Sequence, residues 1–194
     1  MDYSQIVSTA LAYADKADAD DVKANMDNFL RVVESRVNRV LQTRLQSKRA
    51  QLWCDIATEY YGLPPDYDGL RDVEIITEKG GRITMRYLAP EAMDHHITVN
   101  GSIPSYSVVS NQLHIWPRFD NTNRLEIIYY QRVMPLTTDK PENWITRFAP
   151  DVYLHGLMVE IFAFTKDPDG ASLWDQRFKD AIKELYDDDA RDLW

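Results

Sequence analysis

The sequence predicts an α+β protein: a helical bundle built from N- and C-terminal helices, with an antiparallel β unit inserted between them. Three observations carry that expectation. Over residues 21–45 the side chains of Val22, Met26, Phe29, Leu30, Val33, Val37, Val40, Leu41 and Leu45 recur at helical spacing, the mark of an amphipathic helix. Over residues 151–164, Val152, Leu154, Leu157, Met158, Ile161, Phe162 and Phe164 nearly surround a second helix. A helix apolar on most of its circumference is buried on most sides, so this one is a central pillar. Between the two, apolar residues alternate with polar ones and are cut by glycine, proline and asparagine signals, which suits strands and turns. The expected division is 1–48 together with 139–186 for the bundle, 49–138 for the β domain, and 187–194 for an acidic C-terminal tail.

In chain order, Ile6, Val7, Ala10, Leu11 and Ala14 predict a short helix over residues 4–14, with Ser4 as its cap. Asp20 or Asp21 opens the long helix. Its polar face carries Arg31, Glu34, Arg36, Arg39 and Arg44; the four arginines are candidates for contact with a neighbouring subunit, against a plain solvated face. After Lys48, Leu52, Cys54, Ile56 and Thr58 alternate as in a strand that runs toward Tyr60 and Tyr61. Two prolines and a glycine make residues 63–69 a loop. Val73, Ile75 and Thr77 lie on one face of a further strand, Lys79-Gly80-Gly81 turns a hairpin, and Ile83, Met85 and Tyr87 return on alternate positions. Residues 90–93 read as one helical turn, and His95-His96 as loop. Asn100-Gly101 and Ser110-Asn111 are turn signals; residues 113–116 and 125–133 are strands, the latter with Leu125, Ile127 and Tyr129 on one face. Pro150 and Asp151 start the pillar, as proline and acid suit a first turn. Lys166, Asp167, Pro168, Asp169 and Gly170 end it, and Ser172 caps a last helix with Asp175 three residues on.

The 194 residues suffice for a real core. The net charge of −9 is concentrated in the C-terminal third, and no segment is basic, which argues against sequence-level DNA binding. No apolar run approaches the ~18 residues of a membrane span, and the first residues lack a signal peptide's basic and apolar regions. The single cysteine, Cys54, excludes an internal disulfide and a multi-cysteine zinc site and suggests a reducing compartment. No metal or cofactor is expected. His95, His96, His114 and His155 lack ligand spacing, the Gly80-Gly81 pair does not lead into a helix, and no acid, base and nucleophile converge.

Four stretches bear a likeness to a known family. They are the helix containing Asn28, Glu34, Arg36, Asn38 and Arg39; the loop Leu63, Pro64, Asp66, Tyr67; the strand Leu113, Ile115, Trp116, Pro117; and Asn143-Trp144 followed by Pro150, Asp151, Tyr153 and Leu154. In that order, across roughly residues 20–186, the chain resembles the head-to-tail adaptor (connector) proteins of tailed bacteriophages, of the tail tubular protein A type. His155-Gly156 departs from the family's usual apolar residues, and residues 87–110 match poorly, so no role is carried over there.

The resemblance implies a structural virion protein, not an enzyme. It implies a homo-oligomeric ring, commonly of twelve subunits, docked under the portal protein in the neck after synthesis in the host cytoplasm. The ring completes the DNA-filled head and offers a platform to a tail nozzle or tail-completion protein, while double-stranded DNA passes non-specifically through its channel. An acidic wall would let DNA slide. It also implies that the C-terminal segment reaches toward the portal, which makes Asp187, Asp188, Asp189, Asp192, Leu193 and Trp194 candidates for a portal-binding tail. Adjacent aspartates at a helix C-terminus oppose its dipole, so the helix is expected to fray near Tyr186. Two other readings stand beside this one. An aromatic-rich carbohydrate- or ligand-binding module would use Tyr60, Tyr61, Tyr129 and Tyr130 as platforms; a hydrolase would use Glu126 or Asp120.

Overall fold

A computed structural model describes residues 1–55, 58–77, 79–98, 103–119 and 123–191. It is mixed α and β: among the described residues there are six α-helices and two four-stranded sheets. The chain divides into two compact units, residues 1–45 with 133–194, and residues 46–132.

The first unit is helical. Helix α1 is Tyr3–Tyr13. Its cap is Asp2, not Ser4: the Asp2 carboxylate accepts from the Gln5 amide at 2.8 Å while Gln5 accepts from the Asp2 amide at 3.0 Å. That reciprocal box satisfies two amides that the helix leaves unpaired. Helix α2 is Asp20–Val40. Val22, Met26, Phe29, Leu30, Val33 and Val37 are buried along it as the periodicity predicts. The helix is shorter than residues 21–45, because the chain turns out at Leu41 into an extended conformation and buries that side chain completely. Arg44 and Leu45 consequently lie in a short 3-10 turn beyond the helix, and Val40 and Leu45 are half-exposed rather than core.

Residues 133–138 pack with the helices. The Val133 amide donates to Asn38 Oδ1 at 2.7 Å and the Leu136 amide to Glu34 Oε1 at 2.6 Å. Both bonds lie within the helical unit, which takes in residues from Val133 onward. Asn143 then caps the short helix α4, Trp144–Phe148, in a box with Thr146. Its Nδ2 also donates to Met134 O at 2.8 Å and Tyr153 Oη at 2.7 Å.

Helix α5, Pro150–Phe164, buries Val152, Tyr153, Leu157, Met158 and Ile161, and packs against α1, α2, α4 and α6. Helix α6 is Pro168–Arg191. It begins earlier than Ser172, because Asp167 Oδ1 accepts the Gly170 amide at 2.9 Å.

Gly156 explains how closely α5 meets its neighbours. A Cβ there would sit 2.5 Å from Val33 Cγ1 and 3.1 Å from Phe178 Cε2. Valine is stiff at χ1 and cannot swing away cheaply. Alanine in place of glycine gains about 1 kcal/mol of helix propensity, while overpacking costs about 1–3 kcal/mol. We expect Gly156→Ala to lower the denaturant midpoint and Val33→Ala in the same chain to recover part of the loss. A midpoint raised by Gly156→Ala alone would show that the helices separate freely.

The second unit holds the strands. Strand β1 (Ser47–Cys54), β8 (Asn123–Gln131), β3 (Tyr67–Ile76) and β4 (Arg82–Thr84) form one sheet in that order. Strands β2 (Tyr60–Gly62), β7 (Gln112–Trp116), β6 (Ser105–Val109) and β5 (Arg86–Tyr87) form the other. Leu125, Ile127 and Tyr129 are buried on one face of β8, as alternation predicts. The Gly80-Gly81 hairpin forms, with Gly80 at φ 79°, and Ser110 and Asn111 at φ 47° and 62° join β6 to β7.

Several expectations fail here. The strand around Tyr60 is separate from β1 and pairs with β7 in the other sheet. Strand β3 starts at Tyr67, inside the expected loop. Ile83 and Tyr87 are exposed while Met85 between them is buried, since the chain changes sheet there. Strands β5 and β6 pair in parallel, so the unit is not purely antiparallel. His95 and His96 stand on a helix, α3, Pro90–Thr98. Asn100-Gly101, Ile56 and Asp120 lie outside the described residues.

Candidate functional site

The arginines of α2 meet very different surroundings. Arg36 is held within its own subunit. It is ion-paired with Asp175 of α6 and lies 3.8 Å from Glu160 of α5, with its guanidinium 4.6 Å above the Phe178 ring. Asp175 is shared, since Lys179 one turn on approaches it at 2.7 Å. The Lys179 bond first, and then the Arg36 bond, hold the Asp175 carboxyl below the usual range against its burial. Burial pushes the Glu160 carboxyl up, and Arg36 only partly opposes this. Arg39 is exposed, and its Nε donates to Ser35 O at 3.2 Å. Arg31 is exposed beside the cleft that holds Glu34.

Between Arg36, Arg39, Val40, Phe178, Lys179 and Ile182 lies a groove of about 420 Å³ with an apolar floor. The sequence flagged its arginines but missed Val40 as exposed and Lys179 as a wall. The i,i+4 spacing of Asp175 and Lys179 was the available signal.

The C-terminal aspartates are not a frayed tail. Helix α6 continues through Asp187, Asp188 and Asp189 to Arg191. Two contacts oppose the unfavourable dipole. The Arg44 amide and Nε both donate to Asp189 Oδ1, at 3.1 and 3.2 Å. The Tyr186 hydroxyl is bonded to Val40 O and accepts the Gln42 amide at 3.0 Å. Beside them a cavity of about 460 Å³ is lined by Thr43, Leu45, Phe148, Leu185 and Asp188 as well; Phe148 is 69% exposed. Asp192, Leu193 and Trp194 lie outside the described residues.

The aromatic residues of the β unit do not form one platform. Tyr60 stacks on His114 at 4.4 Å in one sheet, while Tyr129 is buried in the other with its hydroxyl donating to Asp66 at 2.9 Å. Tyr61 donates to the Thr58 and Asp55 carbonyls at 3.0 and 3.1 Å, and Tyr130 shares β8 with Tyr129. Glu126 is buried beneath Arg82 and Arg49 at 2.5 and 3.4 Å, and the Arg82 bond above all holds its carboxyl down. A carboxylate so paired is a poor general acid. Among the described residues no group of three or more His, Cys, Asp or Glu is placed to hold a metal, and no helix is long and apolar enough to cross a membrane.

The family model described as SU10 adaptor protein matches residues 1–194. A comparison with curated proteins finds no match. The chain belongs to the SU10 adaptor protein family, a family of bacteriophage adaptors; the four motifs lead to that coarser assignment.

Proposed function

We propose that this adaptor is a head-to-tail connector of the tail tubular protein A type, acting as a structural protein of the virion neck and not as an enzyme. Its helical unit is read as a bundle. Copies close into a ring, twelve on this reading, beneath the portal, complete the filled head and present a platform to a tail nozzle or tail-completion protein. DNA passes through the centre without sequence-specific contact, and the net charge of −9 suits a wall that repels phosphate. The observation that carries this reading is the family match over the whole chain. The test is negative-stain imaging of the purified protein mixed with its portal: a ring capping the portal is expected, and portal particles left bare at high adaptor concentration would overturn the assignment.

The portal contact on this reading is the end of the chain. Asp187 and Asp188 are exposed at the last turn of α6, and Leu193 and Trp194 follow. Tryptophan is the side chain most often found as an interface anchor, with truncation costing about 2 kcal/mol or more. Deleting residues 187–194 would also remove the Asp189 contact to Arg44, so the cleaner variants are Trp194→Ala and a chain ending at residue 191. Each is expected to weaken portal binding at least ~10-fold, about 1.4 kcal/mol, at low and moderate salt alike. Asp187→Asn is expected to weaken it only at low salt, as an exposed charge contact does. Binding unchanged in the chain ending at residue 191 would sink the tail contact.

A further inference from the structure

Helix α2 carries opposite charge at its two ends, each joined to exposed apolar surface. At the C-terminal end is the groove floored by Val40, Phe178 and Ile182, with Val40 51% exposed. Its cations, Arg36, Arg39 and Lys179, outnumber the nearby carboxylates Asp175 and Glu160. Arg39 makes no ion pair among the described residues. At the N-terminal end, Asp15, Asp18, Asp20 and Asp21 are all exposed in the stretch that follows Tyr13, itself 63% exposed. Lys23 lies 3.6 Å from an Asp20 side chain that remains 98% exposed, and Lys16 is the one cation within the stretch 13–21.

The two patches are chemically complementary and cannot meet within one subunit. Helix α2 has 21 residues, about 30 Å at 1.5 Å per residue. A cationic groove and an acidic, aromatic peg at opposite ends of one rigid rod join only through another copy. A contact between two different patches is heterologous: it propagates head to tail, and closes into a ring where the rotation allows.

We propose that the groove receives residues 13–21 of a second copy, with Tyr13 on the apolar floor and the aspartates against Arg39 and Lys179. This names the subunit contact of the ring and rests on the adaptor reading. Charge at such a contact fixes partner and register, and like charges placed opposite exclude the pairing.

The experiment is a charge swap read by sedimentation velocity at low salt over rising protein concentration. One variant carries Arg39→Glu and Lys179→Glu; a version with Arg39→Glu alone leaves the Asp175 pairs intact. The other carries Asp18→Lys and Asp21→Lys. Both sites are exposed, and thermal melts followed by circular dichroism confirm that each variant folds. Wild type is expected to form species larger than dimers. Each variant alone is expected to stay monomeric, because its groove and peg now repel. An equimolar mixture is expected to recover the large species, since each variant's groove then complements the other's peg. A monomeric wild type at every concentration, variants that assemble like wild type, or a mixture that stays monomeric would each overturn the contact. Portal binding of the same proteins separates the two proposals. Wild type that binds portal while the swap fails removes this contact and keeps the adaptor; wild type that ignores portal removes the adaptor reading while the swap is judged on its own result.

Discussion

Leu157→Ala is expected to cost about 2–5 kcal/mol, the range for deleting most of a buried leucine and leaving a cavity. Leu157 is fully buried at the middle of α5. The core cluster it belongs to draws on every helix that packs on α5: Ile6 and Ala10 from α1, Leu30 and Val33 from α2, Ile145 from α4, Phe178 and Ile182 from α6. No single element can move in to fill the space without leaving another contact, so collapse of the cavity is limited. Against a total stability of about 5–15 kcal/mol, the loss is a large fraction and should appear as a lower urea midpoint at unchanged slope. Leu41→Ala is expected to fall in the same range, because Leu41 is also fully buried although it lies past the end of α2. Phe29, which is 8% exposed and packs 5.4 Å from Phe164, belongs with them. A midpoint unmoved by Leu157→Ala would show that α5 is not the centre of the helical unit.

The apolar stripe of α2 and the all-round apolar character of α5 were legible because burial dictates where along the chain apolar residues fall. Capping was poorly legible: Asn143, which caps α4 in a box with Thr146, was noted only as part of a family likeness, and Asp2 was passed over for Ser4 because two polar residues stood near the same start. The end of α2 was not legible. Val40, Leu41 and Leu45 continue the helical period, yet only Leu41 is buried, and the turn after it depends on Tyr186, which lies 146 residues from Val40. The same long-range contacts hide the order of the last turn of α6. Local rules count Asp187, Asp188 and Asp189 as mutually repelling at the wrong end of a helix dipole; the Arg44 amide that donates to Asp189 lies 145 residues away in the chain. In the β unit, alternation marked the faces of β3 and β8 but not which sheet each short strand joins. Residues 82–87 read as one strand because the period is intact through Met85, where the chain in fact crosses between sheets. The candidate surface was legible only as a set of arginines. That Arg36 is spent within the subunit and Arg39 is not follows from Asp175 and Glu160, whose positions against α2 no periodicity encodes.

Glu34 is the other buried group on which stability is expected to depend strongly. Its side chain, 6% exposed, faces inward from α2, and Oε1 accepts the Leu136 amide at 2.6 Å. This bond fixes residues 133–138 on the helices. Glu34→Ala strands a buried N–H, a loss of about 1–3 kcal/mol, in addition to the packing lost. Glu34→Gln keeps a carbonyl oxygen for the same amide and removes the charge. Burial pushes the Glu34 carboxyl above its ordinary value, while the Leu136 bond and then Arg31 only partly oppose it. The folded protein therefore holds this proton at pH values where the unfolded chain has already released it. Its contribution is fully present below the ordinary glutamate value and is lost as pH rises through the raised folded value. Asp175 runs the other way: its folded carboxyl is held down, so its contribution is present above the ordinary aspartate value and lost as pH falls through the lowered one. The two are separable, because only the Glu34 effect disappears in Glu34→Gln. Measured by urea unfolding from about pH 4 to about pH 7.5, Glu34→Gln is expected to gain on wild type as pH rises, and Glu34→Ala to lie below both throughout. A constant difference between Glu34→Gln and wild type across that range would mean that the carboxylate titrates as it does in the unfolded chain. Glu34→Ala as stable as Glu34→Gln would mean that the Leu136 amide finds another acceptor and that residues 133–138 do not need α2 to hold them.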